Sequence, residues 1–489
     1  MTEPKDRLTL TELLAGITGQ QAPRDTTLCV AIRAIVIDSR QVVPGSLFVA
    51  LRGEHQDGHQ YIGHALEKGA VAVIAEEMPH NIDGCVLEPQ AWAVDGDFSQ
   101  LHLPLCIRVP DSLSALQKAA AYWRRQFSVR VIGITGSVGK TTSKEVIASV
   151  LTKRAPTLKS EGNYNNEIGL PLTLLRLTST HKYVVLEMGM YDLGEIALLA
   201  DIAQPQVGVV TSVGPSHMER LGTIERIAQA KSELPRALPA AADGGVAILN
   251  ADDARVRAME QVTQARVFTY GLSQDADVWA DDITGEGLEG IRFRLHHGRD
   301  SIYLRAPMLG RHSVHTALCA TAVGLMEGLS WEEIVGGLRD QTVQLRLTAV
   351  PGPHGSTILD DTYNASPDSS VAALNLLDEL EGRKIAVLGD MYELGRYEEE
   401  GHKMVGRRVR DVADVLVTVG PLGRFIGEEA IRSGMDPSAV FQVETKEEAI
   451  ERIQSLIAPS PLGDKILIKG SRGMQMETIV SALQTGDRS

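Results

Sequence analysis

The stretch Gly133–Val146, GITGSVGKTTSKEV, joins a β-branched run (Val129–Ile134) to a helical continuation, SKEVIASVL. It nearly matches the phosphate-loop pattern G-x-x-x-x-G-K-[ST]. Counting back from Gly139-Lys140, the leading glycine should stand at 134, where the chain has Ile134; its glycines fall at 133, 136 and 139. The physical requirements are still met. Glycines let backbone N–H groups turn inward around an anion, and the helix start adds the positive end of its dipole. A strand entering a glycine-rich turn and then a helix is the setting such a loop needs. Thr135, Gly136, Ser137, Gly139 and Thr142 would line the phosphates, Lys140 would neutralise them, and the Thr141 hydroxyl would ligate Mg2+. A plain glycine-rich strand–helix turn is the bland alternative. Strand, loop, lysine and helix together favour a nucleoside triphosphate.

Outward from the loop, strand-like and helical stretches alternate. Apolar runs at Tyr183–Leu186, Val207–Val213 and Val246–Leu249 follow it, and DSLSALQKAAAYWRRQF, with Asp111 or Ser112 as N-cap, precedes it. The alternation implies an α/β fold with a mostly parallel sheet covered on both faces. Short alternating segments between about 277 and 306, including IRFRLHH and SIYLRA, suggest antiparallel strands at one edge. After Gln344 a second α/β alternation begins, with runs at Ser356–Leu359, Lys384–Leu388, Val415–Val419 and Lys465–Ile468 and no phosphate-loop pattern of its own. Before Asp111, runs such as LFVAL and AVAVIA lie between glycine-rich turns, and residues 78–104 read as a long surface excursion. We expect three domains, 1–110, 111–343 and 344–489.

A chain of 489 residues is too long for one core. Its net charge of −15, with both signs interspersed, argues against a nucleic-acid backbone or an anionic membrane as the main partner. Cys29, Cys85, Cys106 and Cys319 have no zinc-ligand spacing and read as small buried hydrophobes in a reducing compartment. MTEPKDRLTLTELL has no signal-peptide core, and no apolar run approaches the roughly 20 residues that span a bilayer. These features point to the cytoplasm.

Ligands of parallel α/β sheets sit beyond the carboxyl ends of strands. Glu187 and His217 follow two such runs, which makes them candidates for a divalent metal; a solvated carboxylate and an ordinary histidine are the alternatives. In TIERIAQAKSELPRAL, Lys231 falls on the apolar stripe of Ile224, Ile227 and Ala228. It either snorkels to water or points into a site, where desolvation would lower its pKa and let the neutral amine take up CO2 as a carbamate. The amide-rich GNYNNE (162–167) is a site or simply a turn. Asp360-Asp361-Thr362-Tyr363-Asn364 and Lys469-Gly470-Ser471-Arg472 also follow strands, and a Lys-x-x-Arg pair suits a phosphate or carboxylate.

In order, TGSVGKTT, GNYNNEIGLP, LEMGM, SVGPSHME, AKSE, LNADD, DDTYNASPDS, LGDMYELG and KGSRGMQME resemble the Mur ligase superfamily, ATP-dependent amide-forming enzymes of cell-wall synthesis. The resemblance covers nearly the whole chain. It implies an N-terminal UDP-substrate domain, a central mononucleotide-binding domain and a C-terminal Rossmann-like domain. NNEIGLP, DDTYNASPDS and LGDMYELG are most like the branch that couples UDP-N-acetylmuramoyl-tripeptide to D-alanyl-D-alanine through an acyl phosphate. By resemblance, Thr141 and Glu187 serve one Mg2+, and His217 with a carbamylated Lys231 the second. Asn250, His312 and Asp361 match ATP contacts, and Arg346 a γ-phosphate contact. Ser39 and Arg40 match the uridine-nucleotide side. Asn163, Asn166 and Asn364 match substrate contacts, and Lys469 and Arg472 face the dipeptide. A monomer is implied.

The chain departs from the family at GRHSVHT, where Ser313 and Thr316 replace asparagines near the adenine, and at NASP, where Ser366 replaces a second amide. Competing readings keep the chemistry with another acceptor, as in the tripeptide-forming ligase, folylpolyglutamate synthetase or a poly-amino-acid synthetase. A third reading is a non-catalytic nucleotide-binding regulator.

Overall fold

Three sheets, of five, nine and six strands, organise the described residues of the computed structural model, which are 6–20, 28–53, 56–79, 84–88, 101–340 and 347–485. The chain divides into two compact units. One comprises Met1–Gly133, Ala155–Met190 and Gly194–Val207; the other comprises Ile134–Arg154, Tyr191–Leu193 and Gly208–Ser489.

In the first unit, β1 (Ala34–Val36), β2 (Ser46–Val49), β3 (Ala72–Ala75), β4 (Cys85–Leu87) and β5 (Leu105–Arg108) form a parallel sheet in the order β1-β2-β3-β5-β4. Every residue of β2 (SLFV) and β3 (AVIA) is buried, as expected of strands covered on both faces. The expected excursion at 78–104 is corrected in part. Its described portion includes β4, an edge strand in register with β5, and its remainder lies outside the described residues. A three-residue strand carries too little periodicity to be read from sequence. Asp111 caps the helix Ser112–Arg125 by accepting from the Ser114 N–H at 2.9 Å, and that helix buries Leu116, Ala119 and Trp123.

The nine-stranded sheet comprises β6 (Arg130–Thr135), β7 (Thr157–Lys159), β8 (Tyr183–Glu187), β9 (Val207–Val210), β10 (Val246–Asn250), β11 (Arg266–Gly271), β12 (Val278–Gly285), β13 (Ile291–His297) and β14 (Asp300–Ala306). Within the first unit β7 and β8 pair in parallel. Within the second, β10, β11 and β12 pair in parallel, and β12, β13 and β14 turn antiparallel as the alternating pattern foretold. On the outer face of this meander Arg294 makes two 2.8 Å bonds to Asp281, while Ile291, Phe293 and Leu295 point into the core.

The third sheet holds β15 (Thr348–Pro351), β16 (Thr357–Asp361), β17 (Lys384–Gly389), β18 (Val415–Val419), β19 (Val440–Val443) and β20 (Lys465–Lys469), in the order β15-β16-β20-β17-β18-β19. Only β15 is antiparallel to its neighbour. Period-two alternation feeds two cores. Leu467, Ala386, Leu388 and Leu416 pack on one face, and Ile466, Ile468, Ile385, Val387, Val415 and Val417 on the other. Each fully buried aliphatic side chain is worth about 1.5–3 kcal/mol. The last strand in sequence, β20, inserts between β16 and β17. This reversal of strand order places a ligand crevice beyond the carboxyl ends of β16, β20 and β17.

The cysteine expectation holds for Cys106 and Cys319, but Cys29 is exposed and Cys85 half-buried. Cys85 lies on β4, the edge strand of the first sheet. Among the described residues, no helix is long and apolar enough to cross a membrane.

Candidate functional site

The misfit at Ile134 has a simple cause: Ile134 lies inside β6 and is fully buried, so the turn begins two residues later. Gly136 is required for space, since a Cβ there would stand 1.9 Å from the Thr211 hydroxyl. Gly139 is required for conformation, at φ +85° with nothing nearby. It precedes the helix Lys140–Thr152, whose first N–H groups lack intrahelical partners. Lys140 folds back to donate to the Gly136 carbonyl at 2.8 Å.

The segment after β9 staples this loop. The Ser137 N–H donates to the Ser212 carbonyl at 2.9 Å, and the Val138 N–H to the Ser212 hydroxyl at 3.0 Å. Thr211 Oγ1 donates to the Val138 carbonyl at 2.6 Å. Ser137 Oγ donates to the Gly214 carbonyl at 3.0 Å and accepts from the Gly214 N–H at 2.9 Å. Asp253 accepts from the Val213 N–H at 2.7 Å, and Asn250 Nδ2 donates to the Thr211 carbonyl at 2.9 Å. Asn250 Oδ1 also accepts from the Asp252 N–H at 3.0 Å, so its amide serves as a strut behind the loop. The Thr135 hydroxyl is buried with no hydrogen-bond partner among the described residues. The result is a loop whose conformation is held rigid by the segment after β9.

Lys231 does not snorkel. It ends the helix Ile224–Lys231, is only 2% exposed, and has neither ion pair nor hydrogen bond to its amine among the described residues. The helix breaks here: a new turn, Glu233–Ala237, starts after Ser232, with Pro235 inside it. Burial, and then the neighbouring Lys140 charge, push the Lys231 pKa well below the usual lysine range. Two amines of like charge, one of them desolvated, call for an anion between or upon them. The residues therefore fit a polyphosphate.

His217 lies at the start of the helix Met218–Leu221, with Nδ1 2.7 Å from Glu393 Oε2 and the Tyr191 ring edge-on at 5.2 Å. His312 is exposed just before the helix Val314–Met326. In GRHSVHT, Ser313 and Thr316 are buried, and Ser313 donates to the Leu309 carbonyl at 2.7 Å. Ser366 caps the helix Pro367–Glu379 in a capping box with Ser369, a role that suits a short hydroxyl followed by proline.

At the third sheet's crevice, Asp361 and Lys469 stand opposite each other in register on β16 and β20. Lys469 is 2% exposed and donates to Asp361 Oδ2 at 2.6 Å and to the Asn364 carbonyl at 2.9 Å. It holds the crevice together, while Arg472 lies exposed over the Tyr363 ring at 5.6 Å. The Asn364 side chain accepts from the Ala365 N–H at 2.9 Å. Arg346 lies outside the described residues.

In the first unit Glu187 ends β8, 1% exposed, and accepts from Asn165 Nδ2 at 3.0 Å, while its N–H donates to Ser160 Oγ at 3.2 Å. Asn166 caps the next helix by accepting from the Gly169 N–H at 2.9 Å, and Asn163 is exposed. Ser39 is buried with Oγ 3.0 Å from His64 Nδ1; Arg40 is exposed and clamped by Asp38. A cavity of about 390 Å³ beside β1 is lined by Arg33, Gln41, Glu161, Tyr164 and Arg176, among others. Among the described residues, no three His, Cys, Asp or Glu side chains could hold a metal by themselves. Thr141 in the second unit and Glu187 in the first are each, taken singly, hard oxygen donors of the kind Mg2+ takes.

Sequence reasoning missed Thr211, Ser212, Asn165 and Glu393. Thr211 and Ser212 were read as the tail of a strand, and nothing in an amide-rich run distinguishes Asn165 from its neighbours.

A stapled phosphate cradle with a desolvated second lysine, on an α/β chain with three sheets, defines a nucleotide-dependent group-transfer enzyme. Three family models match in succession: "Mur ligase family, catalytic domain" over residues 31–124, "Mur ligase middle domain" over 134–324, and "Mur ligase, glutamate ligase domain" over 345–472. The chain belongs to the Mur ligase family and has its three-domain architecture. The UDP-N-acetylmuramoyl-tripeptide–D-alanyl-D-alanine ligase of Bacillus subtilis (strain 168) is 36% identical over 456 residues, covering 92% of this chain and 93% of that one. A crystal structure of MurF from Acinetobacter baumannii matches with a TM-score of 0.82 and 31% identity, over 98% of this chain and 99% of that one. The MurF ligase from Thermotoga maritima in complex with ADP matches with 0.77 and 28%, over 93% and 97%.

Proposed function

We propose that this chain is an ATP-dependent ligase that forms an amide bond between UDP-N-acetylmuramoyl-tripeptide and D-alanyl-D-alanine in peptidoglycan precursor synthesis. The observation that carries ligase chemistry over nucleotide binding alone is Lys231, buried beside Lys140 with no partner among the described residues. A regulator has no need of a desolvated amine. Full-length similarity to ligases of that name favours this acceptor over a free amino acid.

A carboxylate is a poor electrophile until one oxygen becomes a good leaving group. ATP supplies the phosphoryl group that makes an acyl phosphate; Thr141 and Glu187 would each offer an oxygen, and His217 a nitrogen, to Mg2+, which when bound would neutralise charge on the transferring phosphoryl group. The loop amides and Lys140 orient the phosphates. The neutral Lys231 amine would add to CO2, forming an N–C bond and releasing one proton to solvent, and the resulting carbamate would offer an oxygen to the metal. Asn250, His312, Arg346 and Asp361 serve the nucleotide. Ser39 and Arg40, beside a cavity lined by Arg33 and Arg176, serve the uridine-nucleotide end. Asn163, Asn166 and Asn364 serve the tripeptide, and Lys469 and Arg472 shape the dipeptide crevice. We assign the domains to 1–110, 111–343 and 344–489, and the enzyme to the cytoplasm as a monomer.

The test is ADP release by purified protein with ATP, Mg2+ and the UDP-tripeptide, with and without D-alanyl-D-alanine. Release that depends on the dipeptide is expected. Preference for a single amino acid would move the chain to another branch, and nucleotide binding without turnover would leave a regulator.

A further inference from the structure

We propose that Glu393 is a positioning residue for His217: its carboxylate accepts the Nδ1 proton and leaves Nε2 as the unprotonated nitrogen that meets the divalent cation. The inference rests on the reading of His217 as a metal ligand. Glu393 Oε2 lies 2.7 Å from Nδ1, yet the alignment falls outside hydrogen-bond geometry. Such contacts in ligand-free enzymes commonly tighten only when substrates bind. An ordinary surface ion pair would carry little meaning, since Glu393 is 47% exposed.

The backbone argues for more. His217 and Glu393 both adopt left-handed conformations, at φ +57° and +64°, which non-glycine residues rarely do. Such conformations persist where the surroundings impose them and are concentrated at functional sites. Here the surroundings are specific. The Glu393 carbonyl accepts from the Glu219 N–H at 3.2 Å, Leu394 is 1% exposed, and a Cβ on Gly395 would stand 2.9 Å from Glu219 Cα. The Glu393–Gly395 main chain is thus seated on the first turn after His217. Tyr191 closes another side of the imidazole, with the Arg220 guanidinium 5.3 Å over its ring. A histidine whose second nitrogen faces a carboxylate has its tautomer and ring orientation set for metal binding.

The experiment uses the full chain with Mn2+ and a non-hydrolysable ATP analogue, read by electron spin-echo modulation from imidazole nitrogen and by Mn2+ affinity. Wild type should show the nitrogen coupling. E393A, and E393D with its shorter reach, should lose or weaken it and bind Mn2+ on the order of 10-fold more weakly, with unchanged thermal midpoints. E393Q, which keeps an acceptor oxygen, should fall between. Folded E393A and E393D that keep wild-type coupling and affinity overturn the inference while the ligase reading stands. Wild type without nitrogen coupling overturns both this inference and the reading of His217 as a ligand.

Discussion

Replacing Lys231 by methionine should abolish ligation and make the ligand-free protein more stable. The two side chains are similar in length, so packing is nearly conserved. What changes is the removal of a desolvated amine with no partner among the described residues. An unsatisfied buried polar group costs about 1–3 kcal/mol. For a domain of a couple of hundred residues that is a rise in midpoint on the order of 2–10 °C. The pH dependence has a definite sign. The native pKa of Lys231 is lowered by burial and by Lys140, whereas the unfolded lysine titrates near about 10.4. Between these values the unfolded state binds more protons than the native state, so wild-type stability rises with pH by about 1.4 kcal/mol per unit. Below the lowered native pKa both states are protonated and the penalty is complete. The stability deficit of wild type relative to Lys231→Met should therefore be largest at low pH and shrink toward pH ~10. Urea unfolding in CO2-depleted buffer at several pH values measures it. A methionine variant that is less stable, or a deficit that does not vary with pH, would refute the reasoning, because either result means that the amine has a native partner.

Three further perturbations separate scaffold from site. Asn165→Ala removes the amide that donates to the Glu187 carboxylate at 3.0 Å; with Glu187 the proposed Mg2+ ligand, turnover should fall roughly 10- to 100-fold, with the circular dichroism spectrum unchanged. Leu467→Ala opens a cavity in the third sheet's core, where Leu467 is fully buried; a loss of about 2–5 kcal/mol in urea unfolding is expected. Lys469→Met removes the buried amine that bridges to Asp361 across β16 and β20. Destabilisation of about 3–5 kcal/mol is expected, and if the domain stays stable, Lys469 is free to act as a ligand rather than a strut.

Much of the architecture was legible because strand–helix alternation and the loop's glycines are local signals. The antiparallel edge at β12–β14 and the cap at Asp111 were visible for the same reason. Long-range geometry was not. Lys231 sits on an apolar stripe, and the stripe alone cannot say whether the stem runs to water or stops in the interior. Its lowered pKa comes from burial in the fold and from the charge of Lys140, nearly a hundred residues earlier. The strand before Thr211 ends sooner than its β-branched run, which hid the hydroxyl staples of the loop. In GNYNNE three amides look alike, yet Asn166 caps a helix and Asn165 orients Glu187. Nothing in LGDMYELG singles out Glu393, and only the fold sets it against His217. The family resemblance supplied roles for individual residues that spacing alone left open.

The central claim is that this chain activates a carboxylate by phosphorylating it. UDP-N-acetylmuramoyl-tripeptide labelled with 18O in its terminal carboxylate tests this directly, with ATP, Mg2+, D-alanyl-D-alanine and mass analysis of the phosphate released. The carboxylate oxygen that becomes the bridge of the acyl phosphate should leave with the phosphate, giving one 18O per phosphate for each amide formed. Phosphate free of label, released alongside amide product or without it, would contradict the account.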